Sequence, residues 1–311
     1  MLHTVTHSVM FHHFHSESHE PAQGSLSNQD FREVLEWLGS KYSLLGATDY
    51  KKKFEEGTLT NSDICLSFDD ALKCQYDVAI PVMNEFGIDA FFFVYSSAFT
   101  KNPDYLEIYR YFRTSGFESI DDFYQNFFEI IEQTDTKAFA KHKSTFSGLD
   151  YLSAFPFYST DDKWFRYLRD QVLGGVKYRE TMNKMMLDSG FDVESAKGHL
   201  WMSEAELRKV SRQGHIVGLH SFSHPTQMSK LPKLEQATEY QKNYDHLSGI
   251  IGHPIEVMSH PCGDYNQDTL DVLNAMGISM GFRSNMAITD IASPLEIPRE
   301  DHANVFKAMR Q

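Results

Sequence analysis

The spacing of apolar positions changes several times along the chain, and the changes mark its elements. Val5–Phe14 is an apolar run ending among histidines and predicts a first strand. A polar stretch with Pro21 and Gly24 follows as a loop. Phe31, Val34, Leu35 and Leu38 then recur at helical spacing, with Ser27 or Asn28 placed to cap the helix. Ile64–Phe68 is a short apolar strand that runs straight into Asp69-Asp70. Leu72–Phe86 reads as a helix interrupted by Pro81 and closed by Gly87, and Ala90–Val94 as another buried strand. Strand, helix, strand in this order predicts a parallel sheet or barrel. From about residue 102 to about 196 the pattern is helical, rich in Phe, Tyr, Asp and Lys, without strand alternation. It predicts a helical insertion, residues 100–198, between barrel segments 1–99 and 199–311. Alternation then resumes: helix Ser203–Val210, strand Ile216–Leu219, helix Leu234–Leu247, strand Glu256–Met258, helix Asp268–Met276, and a strand after Gly277.

Three segments place polar groups at the C-terminal ends of apolar strands, where parallel α/β folds build their sites. In Ser67-Phe68-Asp69-Asp70, two adjacent carboxylates cannot both be buried cheaply as free charges, so one needs a cation or a proton. The blander alternative makes Asp70 a helix N-cap. In His220-Ser221-Phe222-Ser223-His224, two histidines four apart suit Zn²⁺ or a related divalent ion if the loop turns them to one point. In His260-Pro261-Cys262-Gly263-Asp264-Tyr265, Pro and Gly fix a tight loop whose backbone N–H groups can stabilise an oxyanion, unless it is an ordinary turn. Together the segments supply a metal site, a spare carboxylate and an oxyanion donor, a set sufficient to hydrolyse an amide or ester.

Phe68-Asp69-Asp70, His220-Ser221-Phe222-Ser223-His224 and Pro261-Cys262-Gly263, in this order, resemble the motifs of the polysaccharide deacetylase family (carbohydrate esterase family 4). Met10-Phe11-His12 resembles the Tyr-His that ends the first strand in one branch of that family, and Pro298-Arg299 a Pro-Arg near the end of many members. The likeness covers roughly residues 5–100 and 199–305. It implies a distorted (β/α) barrel of the polysaccharide deacetylase type. It also implies roles: Asp69 as the general base; Asp70, His220 and His224 as ligands of one divalent metal ion, expected to be Zn²⁺; and the Cys262 N–H as oxyanion donor.

The chain departs from the family twice. Ser259 stands where an Arg usually orients the base, and Cys262 where an aromatic follows the Pro. Arg299, after the apparent strand Leu295–Ile297, is the candidate to hold Asp69 by a contact of about 2.7–3.0 Å, the alternative being a structural salt bridge. His12 is the candidate general acid, with His260 a weaker one. Strand alternation would turn His13 and His15 away from the face of His12.

Charge and composition narrow the function. Lys and Arg number 29 against 43 Asp and Glu, a formal net charge of -14, which disfavours nucleic acid and anionic membranes as partners. Cys65, Cys74 and Cys262 form no CxxC pair, so no disulfide framework is expected. The N-terminal residues lack the pattern of a signal peptide and no apolar run is long enough to span a bilayer, so a cytoplasmic protein is expected. The substrate would then be an acylated amino sugar, nucleotide-linked or lipid-linked, in a surface-polysaccharide (lipopolysaccharide or capsule) or nucleotide-sugar pathway. The leading expectation is N-deacetylation. Deformylation of a formamido sugar, or an inactive barrel that binds a sugar or a protein, are the alternatives. The insertion is expected to cover the barrel mouth.

Overall fold

A computed structural model describes residues 5–22, 24–152 and 159–310. The chain forms two compact units, residues 1–104 with 197–311, and residues 105–196. The expected helical stretch includes residues 153–158, which lie outside the described residues.

The first unit is a parallel barrel. Its strands are β1 (His7–Phe11), β2 (Ser43–Leu44), β3 (Asp63–Asp69), β4 (Phe91–Val94), β5 (Ile216–Leu219), β6 (Val257–Ser259), β7 (Met280–Phe282) and β8 (Arg299–Asp301). They run in the order β7-β6-β5-β4-β3-β1-β8, all parallel, with β2 beside the start of β3. The ring nearly closes where Phe282 pairs with Ile297, two residues before β8. The Arg283 and Ile297 N–H groups donate to Ile297 O (2.8 Å) and Gly281 O (2.9 Å) across this seam. Helices α1 (Asn28–Lys41), α2 (Ala47–Glu55), α3 (Ile80–Phe86), α10 (Glu204–Arg212), α11 (Lys233–Ile251), α12 (Gln267–Ala275) and α13 (His302–Met309) belong to this unit. The intervening α4 (Leu106–Ser115), α5 (Ile120–Thr134), α6 (Thr136–Ser147), α7 (Thr160–Tyr167), α8 (Gly174–Ser189) and α9 (Val193–Leu200) make up the helical stretch.

The two-residue period of the strands divides the apolar residues into two layers. Cys65, Phe91, Phe93, Val257, Met280, Phe282 and Ile297 form one buried cluster. Gly218 on β5 is required there, because a Cβ would stand 2.7 Å from the Phe93 ring and 2.8 Å from Val257. The other face stacks Phe68 on Phe92 (4.8 Å) and Phe11 on Phe68 (5.4 Å), with Phe31 of α1 edge-on at 5.1 Å from Phe11. Ser27 caps α1 in a reciprocal box with Asp30, as its spacing predicts.

Pro81 does not interrupt a helix. Residues 73–86 are helical throughout, with a π-helical stretch, Gln75–Ala79, just before Pro81 in the opening turn of α3. Gly87 ends α3 at φ 64°.

Candidate metal centre and active site

Because every strand is parallel, the ends of β1, β3, β5 and β6 open on one rim, and each carries polar groups there. Six non-glycine residues among those described have positive φ, and five lie in these rim loops: Asp70 (76°), Ala71 (54°), Ser221 (64°), His224 (55°) and Cys262 (53°). Such backbone is unfavourable for residues with a Cβ, and its concentration here marks loops held in shape by their surroundings. Asp70 is not a helix cap, since the following helical stretch starts only at Lys73.

Asp70, His220 and His224 are brought together: their ligand atoms all lie within 4.8 Å of one another, and all three residues are buried. Asp70 Oδ1 is 3.6 Å from His220 Nε2 and 3.6 Å from His224 Nε2. A tetrahedral ion bound at about 2.0–2.2 Å holds its donors roughly 3.3–3.6 Å apart, so this spacing fits a divalent cation. The protonation pattern fits as well. His220 Nδ1 lies 2.9 Å from the Ser259 carbonyl, which can only accept, so Nδ1 carries the hydrogen and Nε2 its lone pair. Burial lowers the His220 pKa to about 3 despite the nearby Asp69. A neutral nitrogen lone pair therefore faces a carboxylate oxygen, an arrangement that a cation between them satisfies.

Asp69, the last residue of β3, is the other carboxylate of the pair and is held differently. Arg299 Nη1 and Nη2 each donate to it at 2.7 Å, one to each oxygen. That lies within the range expected for the contact. Burial by itself would raise the Asp69 pKa, but the charge and hydrogen bonds of Arg299, together with His220 and His12, outweigh it and hold the carboxyl well below the usual range. Arg299 is not at a strand end, however. It opens β8 in register with Ser8, and Ser8 in turn pairs with Cys65, four residues below Asp69. Its side chain reaches up the barrel past the Phe93 ring, 5.7 Å from the guanidinium carbon. A long side chain lets a residue low in the barrel serve the rim. Ser259, where the family Arg would stand, donates its hydroxyl to Asp69 Oδ1 at 3.3 Å and lies 2.7 Å from His220 Nδ1, between base and ligand.

His12 Nε2 stands 3.9 Å from Asp69 Oδ2 and 3.9 Å from Asp70 Oδ2, with the ring partly exposed. Burial of the ring nitrogen brings its pKa to about 4, against the pull of Asp69. The expected alternation of His12 and His13 fails: β1 ends at Phe11, and the two rings stack at 6.0 Å. His15 is elsewhere, with Nδ1 2.9 Å from Ser25 Oγ. His260 is committed to the core: it is fully buried, with Nε2 donating to Leu295 O at 2.9 Å and the ring stacked on Tyr265 at 4.1 Å. It is not placed to act as an acid.

Pro261–Gly263 is a tight turn whose own bonds use Gly263 N (to His260 O, 2.9 Å) and Asp264 N (to Pro261 O, 3.0 Å), leaving the Cys262 N–H outside them. The Cys262 side chain is exposed. Partial burial of the thiol, then Asp70 and Asp69, push its pKa up to about 11, so it is a poor nucleophile.

Several supporting residues have no signature at a strand end. Glu239 accepts from Phe222 N (3.1 Å), Ser223 N (2.7 Å) and Ser223 Oγ (2.9 Å), fixing the two-histidine loop. Asn243, one turn on in α11, accepts from His220 N at 2.9 Å and donates to Val94 O (2.9 Å) and Ser96 Oγ (2.7 Å). A signal existed: Gln236 and Asn243 are polar members of the buried stripe Gln236-Tyr240-Asn243-Leu247 of α11. Gln75 ties two rim loops together, donating to His12 O (2.9 Å) and Asp69 O (2.6 Å).

The polysaccharide deacetylase family model matches residues 176–281, about a third of the chain. That span contains both histidines and the Pro-Cys-Gly loop but stops short of Asp69 and Asp70. A search of curated proteins finds no match. Solved structures match almost end to end. IcaB from Ammonifex degensii aligns with TM-score 0.59 at 12% identity, over 99% of this chain and 96% of that one. A Streptococcus pyogenes deacetylase, PplD, in complex with acetate, aligns with TM-score 0.55 at 14% identity, over 96% and 92%. A de-N-acetylase from Aggregatibacter actinomycetemcomitans gives 0.54 at 12%, over 98% and 99%. At such identities the likeness is one of fold.

Proposed function

We infer, from a chain whose residues 176–281 match the polysaccharide deacetylase family and whose barrel is the deacetylase barrel, that it is a metal-dependent hydrolase removing an N-acetyl group from an amino sugar. The observation that carries this reading is Asp69. A pure binding site has no use for a second carboxylate kept ionised by a buried bidentate arginine beside a three-donor metal centre.

Asp70, His220 and His224 would hold the ion, with Zn²⁺ favoured by two imidazoles and one carboxylate. Bound there, a divalent ion supplies Lewis acidity toward the acyl oxygen and acidifies a water molecule. Asp69 takes the water's proton, and Arg299 keeps the carboxylate from rotating away, which preserves the advantage of a prepositioned base. The Cys262 N–H, outside the turn's own bonds, donates to the developing oxyanion. The proton on Asp69 must then reach the leaving nitrogen. His12, neutral at rest, can accept it at one ring nitrogen and release it from the other. The negative net charge disfavours a polyanionic substrate. We keep a cytoplasmic, nucleotide-linked or lipid-linked substrate as part of the proposal; no described helix is long and apolar enough to cross a membrane.

The test incubates Zn²⁺-loaded protein with N-acetylated and N-formylated sugars, free, nucleotide-linked and lipid-linked, and measures acetate and formate. Acetate release that falls at least about 100-fold in Asp69→Asn, with metal content unchanged, is the expected result. Release of neither acid, or equal activity in Asp69→Asn, overturns the reading; formate alone moves it to a deformylase.

A further inference from the structure

A second buried arginine lies behind the first. Arg283, just past β7, is 6% exposed, and Glu296, on the chain segment approaching β8, is 7% exposed. Arg283 Nη2 donates to Glu296 Oε1 at 2.9 Å, and its Nε to the Tyr265 hydroxyl at 2.8 Å. That hydroxyl donates in turn to the same Glu296 oxygen at 2.6 Å. Arg283 Nη1 closes the set on the carbonyls of Ile288 and Asp290, both at 2.9 Å. A charge pair buried this completely is costly unless every donor is used, and here the guanidinium spends its bonds on fixing three pieces of chain.

Two links lead from this set to the reaction centre. The Arg283 carbonyl accepts the Nε–H of Arg299, so Arg299 presents only its two Nη groups to Asp69. Tyr265 ends the loop that carries Cys262, and its ring is stacked on His260 at the start of that loop. The same loop meets the β7 exit again at Gly263: φ is 68°, and a Cβ would stand 2.2 Å from Ser284 Oγ.

We propose that Arg283, Glu296 and Tyr265 act as positioning residues, setting Arg299 against the base and the Cys262 loop against the acyl oxygen as one unit. None of the three touches the reacting atoms. The proposal rests on the hydrolase reading for its kinetic consequence, while its geometric consequence is independent of it. Binding of the sugar is not their task, so their loss should lower kcat and leave KM nearly unchanged.

The experiment uses full-length, Zn²⁺-loaded Tyr265→Phe and Glu296→Gln. Tyr265→Phe keeps the ring and the Arg283–Glu296 pair, so it carries the test if Glu296→Gln fails to fold. Per metal-loaded site, kcat should fall about tenfold with KM within about twofold. Bound zinc should stay at the wild-type ratio. In protein labelled with ¹⁵N-arginine, the buried Arg299 Nε–H should exchange with solvent faster in the variants than in wild type. An unchanged kcat in folded, loaded variants overturns the proposal, and so does a change confined to KM. Should wild type release no acyl group, the hydrolase reading fails, and the Arg299 Nε–H still decides: equal protection in variants and wild type overturns the clamp.

Discussion

Replacing Arg299 with Met keeps most of the volume and removes the charge, leaving Asp69, 2% exposed, without its cation. Breaking a buried pair from one side costs about 3–5 kcal/mol. A second route gives the same size. The protein escapes the bare charge by protonating Asp69, and holding a carboxyl of ordinary pKa protonated at pH 7 costs about 4 kcal/mol. The two routes differ in their response to pH. In wild type the folded pKa of Asp69 is depressed, so its contribution is complete at both pH 7 and pH 5 and is lost only as pH falls below the ordinary carboxylate range. In Arg299→Met the folded pKa is raised by burial, so the variant recovers stability as pH falls. The penalty should therefore shrink from about 4 kcal/mol at pH 7 to about 1.5 at pH 5. For His12 and His220, losing the Arg299 charge and neutralising Asp69 act in opposite directions, so their effects on the difference oppose each other. The assay is urea unfolding of chelated protein at the two pH values, with acetate release on the metal-loaded form. Arg299→Lys, which lacks the planar fork, should lower kcat more than it raises KM. A penalty under about 1 kcal/mol, or one that does not change with pH, would show that Arg299 is not what keeps Asp69 ionised. Full activity in Arg299→Ala would remove its orienting role and leave the metal site untouched.

Asp70→Asn and His224→Ala should each lower zinc affinity at least about 100-fold by competition with a chelating dye; wild-type affinity in both would exclude these donors. Asn243→Ala leaves the His220 N–H dependent on its longer bond to Val94 O and Ser96 Oγ on its bond to His246 Nδ1, so about 1–3 kcal/mol of stability and about tenfold in zinc affinity should be lost; a loss of stability with unchanged zinc affinity would separate the network from the metal centre. His260, with a pKa lowered by burial to about 4, binds fewer protons when folded, so it weakens the fold as pH falls through 6.5 toward 4. His260→Phe should flatten that acid slope by about 2 kcal/mol between pH 7 and pH 5, and an unaltered slope in urea unfolding would count against it.

The sequence by itself carried the local layer. The two-residue and 3.6-residue periods report which face of a segment is buried, so they located the strand running into Asp69, the strand ending at Leu219, the start of α1 at Ser27 or Asn28, and the helical stretch before α10. Asp69-Asp70 and the two histidines were legible because polar groups in a row at the end of an apolar strand have few inexpensive fates. What stands opposite a residue across the barrel is a matter of register and closure, and no local period contains it. Only the strand order of the sheet, with the C-terminal β8 paired to β1 and β1 to β3, lets Arg299, starting level with Ser8, reach Asp69. Only the packing of α11 on the barrel puts Asn243 and Glu239 under the histidine loop. The end of β1 at Phe11 releases His12 and His13 from strand alternation, and the burial of His260 against Tyr265 makes a loop histidine part of the core. Chemistry that stands on one strand end is written in the order of residues; chemistry shared between strands exists only once the sheet has assembled.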